Sequence, residues 1–460
     1  GFTNPYWLLY ELPNHDTKHW FMGNITLNYR ILNYLNFRLR IATDLQTARG
    51  WEYTNMYSQF DKDGQFKEFS QMAQNNNIEA MLNFNKRFKK DWNLTASMGY
   101  SWQHRRNERT NLTVGTTSQP DMPSLANNGA ILTGNDSYDG KEKVSVFAMA
   151  NVGYKDMVYL DGTVRNDWSS TLPSNDKSYF YPSVGVSIIP SNIISLPDWI
   201  PFWKLRGSWT VSKTDLAIYD LDRAYTIKQN VWDGLNTASY PDYLRGDVKP
   251  ITNRTWEIGT GIHFLQGHRL KLDVSYFNKL TYNNTISQRI SSATGYKSRL
   301  MNIDEEYVRR GVEISIDATP VQVRDFSWDV SLNLSTSKRY YAKLDESFSP
   351  DNLWTYVGAR TDSYSYKGYD KDPDGNYIIN TNGLMSRSQY SSLIGYTDPD
   401  LEYGLANVFK YKNFTLTLNF DGRIGGKSWS NTEFHMLETG AHPDTDNPVS
   451  YTHLTLPTIA

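Results

Sequence analysis

The sequence predicts an all-β chain, an antiparallel transmembrane β-barrel, and three observations predict it. Val158, Leu160, Gly162 and Val164 alternate with Tyr159, Asp161, Thr163 and Arg165, the period-two pattern of a strand wetted on one face only, and the pattern recurs along the chain. The mean hydropathy is polar, −0.59, yet the chain carries 32 Tyr, 14 Trp and 19 Phe. A barrel accounts for both, because only alternate residues meet lipid and the rims carry aromatic girdles. Finally, short turns inside hairpins alternate with longer connections between them, as expected of barrels with short periplasmic turns and long extracellular loops.

The elements follow in order. Phe21, Ile25, Leu27, Tyr29 and Ile31 oppose Asn24, Thr26, Asn28 and Arg30, and Leu32-Asn33-Tyr34 turns the chain into Leu35, Phe37, Leu39 and Ile41. A polar connection from Gln46 to Asn77 contains the turn Asp61-Lys62-Asp63-Gly64. A strand over Ile78 to Phe88 then reverses at Lys89-Lys90-Asp91 into Trp92, Leu94, Ala96, Met98, Tyr100 and Trp102. That last strand matches the roughly nine to eleven residues a tilted strand needs to cross a bilayer, with Trp at both ends; a soluble-sheet strand is usually about five or six. A long loop, Gln103 to Lys143, precedes strands near Val144 to Tyr154 and Val158 to Asp167, which meet at Lys155-Asp156.

Phe180 to Ile189 and Trp203 to Ser212 are joined through Pro190 to Phe202, and a long loop runs from Lys213 to Thr252. Trp256 to Phe264 and Leu270 to Tyr276 flank a tight Gln266-Gly267-His268 turn; Val312 to Ala318 and Phe326 to Leu334 flank a turn at 320–325. The longest loop, Ser337 to Asp400, leads to a last hairpin turning at Lys412-Asn413 into Phe414, Leu416, Leu418 and Phe420. About fourteen strands result, as seven hairpins. Leu39, Leu94 and Leu418 are expected to face lipid.

Composition narrows the function. No run of about eighteen apolar residues offers a membrane helix. A formal charge of −2, with no Lys/Arg cluster, gives no footprint for nucleic acid. The absence of Cys removes disulfides, thiolate nucleophiles and Cys-ligated metals. Gly1-Phe2-Thr3-Asn4-Pro5 is neither an initiator Met nor a signal peptide, so a start further upstream is expected.

Asp370, Asp372 and Asp374 before Gly375 have the spacing that opens an EF-hand loop, but the twelfth position is Thr381, Pro373 interrupts the run, and no helices flank it. A solvated turn is expected, as at Asp61-Lys62-Asp63-Gly64. The eight His show no zinc spacing, and Gly99-Tyr100-Ser101-Trp102 lacks the second Gly of a nucleophile elbow. Gly422-Arg423-Ile424-Gly425-Gly426 lacks the Lys-Ser/Thr of a phosphate loop. No catalytic residue, cofactor site or metal site is expected. Trp51, Tyr53, Trp232, Trp354, Tyr356 and Tyr366 lie in expected loops, where they could stack on sugars, pack against a lid protein, or serve as rim anchors and loop packing. None is assignable as a substrate contact.

Arg165-Asn166-Asp167-Trp168-Ser169-Ser170-Thr171-Leu172-Pro173 and Ser178-Tyr179-Phe180-Tyr181-Pro182-Ser183-Val184 closely resemble a signature of the SusC/RagA family of TonB-dependent outer-membrane transporters. Asn4-Pro5-Tyr6-Trp7, Lys204 to Trp209, Ile251 to Gly259, Gly311 to Ile314, Asp325 to Trp328 and Asp421 to Gly426 extend the likeness to about residue 430. It implies a partial barrel over 1–430, about fourteen of an expected twenty-two strands, with the plug domain absent. Residues 431–448 would be a truncated loop or strand region, and the tail 449–460 resembles translated adaptor sequence and is set aside.

The likeness further implies import of oligosaccharides or peptides with a SusD-like surface lipoprotein and the TonB-ExbB-ExbD complex, in the outer membrane and in contact with its lipid. Two alternatives are a secreted or periplasmic β-rich glycan-binding protein, a propeller or sandwich, and a passive porin.

Overall fold

The computed structural model describes residues 4–58, 61–129, 132–173, 177–220, 226–239, 243–244, 248–349 and 353–443. Fourteen long antiparallel strands, neighbours in chain order, make up the main sheet. The chain divides into two compact units, 1–308 with 342–351, and 309–341 with 352–460. The first carries β1 (Asn14–Leu32), β2 (Leu35–Thr54), β3 (Gln65–Phe88), β4 (Trp92–Val114), β5 (Leu132–Tyr154), β6 (Val158–Ser169), β7 (Ser178–Ile188), β8 (Phe202–Thr214), β9 (Ile251–Phe264) and β10 (Leu270–Tyr282). The second is built chiefly on β11 (Glu306–Gln322), β12 (Phe326–Lys343), β13 (Leu401–Tyr411) and β14 (Phe414–Ile424).

In the first unit the pairing register puts apolar residues opposite apolar residues from strand to strand. Leu27 faces Leu39, Leu39 faces Ala80, Ala80 faces Tyr100 and Tyr100 faces Val146. Because side chains alternate sides, these rows form one apolar face, and its members are exposed: Ile25, Leu27, Met98, Leu160 and Ile258 all stand more than half bare. In the second unit, considered by itself, Leu416 and Phe420 are likewise more than half bare and Leu418 is 41% exposed. Apolar side chains held out in such numbers on one face of long strands are stable only against hydrocarbon. Strands of eleven to 24 residues that turn their greasy side outward are not propeller blades, and that alternative is set aside.

Polar intrusions on the apolar face are paired. Trp203 Nε1 donates to Thr260 Oγ1 at 3.0 Å, and Thr260 in turn donates to the Lys204 carbonyl at 3.2 Å. Trp328 Nε1 donates to Asn407 Oδ1 at 3.2 Å. Burial of a polar group in lipid without such a partner would be costly.

The hairpin turns at 33–34, 89–91, 155–157, 265–269, 323–325 and 412–413 are short, while 55–64, 115–131, 215–250, 283–305 and 344–400 link one hairpin to the next. Lys89, Lys90, Lys155 and Asp156 take φ of 46°, 64°, 50° and 55°. This left-handed backbone is uncommon outside glycine but lets the chain reverse within three residues.

Three sequence expectations change. The connections expected over Gln46–Asn77 and Gln103–Lys143 are largely strand: β3 has 24 residues and β4 and β5 have 23 each, with unbroken pairing from Trp92↔Tyr154 to Val114↔Leu132. Beyond Trp102 both faces of these strands are largely polar, with apolar residues such as Phe66 and Val114 only near the far end, so the apolar alternation disappears although the hydrogen-bond ladder continues. Pro320 lies inside β11, narrowing the expected 320–325 turn. Helices also replace expected turn or loop at both ends. Pro5–Glu11 starts on Asn4, whose side chain accepts from the Tyr6 amide at 2.9 Å; Asn431–Thr439 starts on Ser430, which accepts from the Glu433 amide at 3.1 Å, and ends at left-handed Gly440. Both are standard helix-capping devices. The tail 449–460 lies outside the described residues.

The register sharpens where lipid exposure matters. Leu82, paired with Met98, sits midway along the Trp92–Trp102 span, whereas Leu94 is two residues from its end. Leu82→Arg is expected to lower stability in lipid vesicles by about 2–4 kcal/mol, with Leu94→Arg and Leu39→Arg costing less. Leu418→Arg should disrupt insertion and Thr417→Arg should not; equal effects of the last pair on folding into vesicles would overturn the assignment of faces.

Candidate functional site

The second face of the sheet is the polar wall. In the first unit, Arg206 of β8 reaches across β9 to Asp273 of β10, donating from Nη1 and Nη2 at 2.7 Å each, with Glu257 at 3.6 Å. Gly259 makes this reach possible: a Cβ there would lie 2.8 Å from the guanidinium carbon. Asn151 donates to Asp161 at 2.6 Å and Ser97 to Asn83 at 2.8 Å. In the second unit Ser315 donates to Asn333 and Thr319 to Asp329, both at 2.8 Å. Such a surface presents alternating donors, acceptors and charges.

The signature stretch is not openly part of that surface; it locks loops onto it. Asp167 is 1% exposed. Its carboxylate accepts from Arg165 Nε at 2.7 Å and from Tyr181 Oη at 2.7 Å, with Lys143 Nζ at 3.8 Å. Arg165 also donates to Ser145 Oγ at 2.8 Å and lies over the Phe147 ring, which fills the space left open at Gly99. One turn further, Ser169 donates to Asp215 at 2.6 Å, and Lys141 pairs with the same carboxylate at 2.8 Å. Leu172, Tyr179, Leu216 and Val248 close over it as a buried apolar cluster. Burial pushes the Asp215 carboxyl up, but the hydrogen bonds from Lys141 and Ser169 outweigh it and hold the group below its ordinary value.

The acidic turns behave as turns. Asp372 accepts from the amides of Asp374 and Asn376 at 3.0 and 2.9 Å and from the Asn376 side chain at 3.2 Å, donors that keep its carboxyl below the usual range. Asp370 accepts from Ser386 at 3.0 Å. Asp61 accepts from the Asp63 amide at 3.1 Å. Among the described residues no group of three or more His, Asp or Glu is arranged to hold a metal ion.

The candidate aromatics separate. Tyr53 is 4% exposed and packs with Phe66 and Val114, with partly buried Trp51 against them; these side chains hold β2, β3 and β4 together. Tyr356 and Tyr366 are exposed, Tyr366 on the hairpin Ser363–Tyr366 with Ser392–Tyr396 inside the longest connection. Trp354 is half-buried, and the side chain of Trp232 lies outside the described residues. Sequence reasoning missed Arg360, which grips Asp362 with two bonds of 2.9 and 2.6 Å and lies 3.8 Å from the Tyr396 ring centre; Arg-x-Asp on adjoining same-face positions was the available signal. Two recesses of about 510 and 540 Å³ open on the apolar face, lined by residues such as Ile188, Leu205 and Tyr276, or Leu82, Ala96 and Val184. They face lipid, not the polar wall.

Residues 2–433 match the family model described as TonB dependent receptor-like, beta-barrel. The chain belongs to the TonB-dependent receptor family. It is therefore an outer-membrane protein, in a family of receptors and transporters rather than enzymes. It is 24% identical to the TonB-dependent receptor P3 of Formosa agariphila over 95% of this chain and 47% of that protein. With the TonB-dependent receptor SusC of Bacteroides thetaiotaomicron it shares 24% identity over 60% of this chain and 30% of SusC.

Its fold is similar to that of the RagAB peptide importer in its closed-closed state, with TM-score 0.79, 18% identity, and coverage of 92% of this chain and 49% of the other. Similarity to the ferric citrate transporter FecA is lower, with TM-score 0.51, 12% identity, and coverage of 89% of this chain and 49% of that one. The chain spans between 30% and 49% of the length of these relatives. The SusC/RagA resemblance carried by the signature agrees with these matches.

Two outcomes test the lock. Asp167→Ala, which strands Arg165 and Tyr181, is expected to destabilise by about 3–5 kcal/mol, and Tyr181→Phe, which removes one hydrogen bond to a charged group, by about 1.5–3 kcal/mol; chemical denaturation in detergent micelles measures both. Because the folded Asp215 carboxyl titrates lower than in the unfolded chain, its contribution is present above about pH 4 and is lost as pH falls through the folded value. Amide exchange at Thr171 and Leu172, corrected for intrinsic rate, should stay slow at pH 5 and quicken below pH 4, and Asp215→Asn should remove most of that dependence.

Proposed function

We propose that the chain is the barrel wall of an energised importer of the SusC/RagA type. Its cargo is an oligosaccharide or peptide too large for a diffusion pore. A SusD-like lipoprotein sits over the long-loop rim, a plug fills the lumen, and the TonB-ExbB-ExbD complex acts from the short-turn side. In the domain reading that goes with this, 1–430 is barrel.

The observation that carries the reading is the signature lock. A simple pore needs a polar wall, but it does not need buried Asp167 and half-buried Asp215 to fix two rim loops rigidly. Loops held in place suit a mouth that a second protein must close upon. Support for the cargo class comes from the company the sequence keeps: SusC by sequence and the RagAB peptide importer by fold. The polar wall, with Arg206, Glu257 and Asp273 spread across three strands, suits hydroxyl-rich or amide-rich solutes.

The test uses the complete receptor in its native host. Cells lacking it should lose growth on a limiting oligosaccharide or peptide source, and the gene should restore it only while the TonB complex is intact and the inner membrane energised. Uptake that persists after the membrane is depolarised would favour a passive porin instead.

A further inference from the structure

The short-turn rim of the first unit carries a cationic cluster that none of the polar-wall chemistry uses. The turns 89–91 and 155–157 are joined into one surface: Trp92 pairs with Tyr154, the Lys155 amide donates to the Asp91 carbonyl at 2.7 Å, and Arg87 pairs with Asp156 at 2.9 Å. Arg87 and Asp156 answer each other, which leaves Lys86, Lys89, Lys90 and Lys155 against Asp91 alone. Beneath them lies an aromatic floor. Tyr34 and Phe84 meet edge to face at 5.5 Å, Phe84 and Phe88 stack at 6.4 Å, and Trp92 and Tyr154 lie 4.6 Å apart.

Lys86 is the informative member. On β3 the lipid-facing series runs Ile78, Ala80, Leu82, Phe84 and then Lys86, which pairs with Leu94. A cation on this face is strongly unfavourable near the midplane and tolerable only close to the interface. Its amine bends towards the rim, 4.6 Å from the Tyr34 ring centre and 5.3 Å from that of Phe88, and Lys155 lies 5.4 Å from the Tyr154 ring centre. An amphipathic lysine stem over apolar surface with its charge carried to the interface is the snorkelling arrangement. Aromatic rings at the same depth mark the headgroup layer.

We propose that this cluster is a binding site for the phosphate of an anionic phospholipid in the membrane leaflet next to the short-turn rim, held by Lys86, Lys89, Lys90 and Lys155 above the aromatic floor. Its occupant is lipid because the floor is continuous with the apolar face, so a ligand bringing acyl chains is covered where a soluble anion is not. Binding is sequence-encoded at two turns and independent of which cargo the protein carries.

The complete receptor, folded and exchanged into mixed micelles containing equal phosphatidylglycerol and phosphatidylcholine, is released into native mass spectrometry and its retained lipids counted. Wild type should retain phosphatidylglycerol preferentially, and replacing the four lysines with Gln should lose that preference, at roughly fivefold per lysine lost from contact. Lys→Arg at the same four positions should keep it, which separates lost charge from lost folding. Equal retention of both lipids by wild type, or an undiminished preference in the Lys→Gln variant, overturns the proposal. So does loss of the preference when inorganic phosphate at a concentration matching the lipid is added at constant ionic strength, since that outcome assigns the cluster to a soluble anion.

Discussion

Inside hydrocarbon a backbone amide or carbonyl has no water to turn to, so each must be answered by the neighbouring strand. That constraint governs the first unit. From β1 to β10 the strands are laid down in chain order, each hydrogen-bonded to the one before it. Neighbours in sequence are then neighbours in space, register is set at every short turn, and a slip of one residue would exchange the greasy and polar faces. The pairing of Trp203 with Thr260 shows the same rule applied to side chains on the lipid side.

Pairing also explains why the signature is concentrated where it is. Arg165, Asp167 and Ser169 are alternate residues of one strand, and all point to the polar wall. Tyr181 arrives from β7 and Ser145 from β5, both fixed by the ladder. A carboxylate buried among such donors requires every partner in place, because a half-satisfied charge in a low-dielectric pocket is worse than none. The result is a rigid attachment for loops that would otherwise be tethered only at their ends.

Much of this was legible before any coordinates. The face of each strand within the membrane, the positions of the seven reversals and the near count of fourteen strands all follow from period-two alternation and turn residues, because lipid imposes a sharp contrast between the two sides. That contrast ends at Trp102. Past it, His104, Arg106 and Glu108 meet water on one side and Gln103 and Arg105 on the other, so no alternation marks the strand although pairing continues. The two short helices were missed for a smaller reason: Ser430 and Glu433 are a capping pair that reads as ordinary polar loop unless the spacing is noticed. The lock itself was visible only as a resemblance, since the contacts of Asp167 and Asp215 join segments far apart in sequence.

The continuation of β4 past Trp102 to Val114, with β3 and β5 alongside, has a physiological side. Twelve further residues of tilted strand raise the wall by roughly 30 Å, about another bilayer's thickness. Outside the hydrocarbon the first unit therefore presents water with laddered strand rather than loop, and backbone held in a ladder is a poorer target for proteolytic nicking than an exposed loop tip.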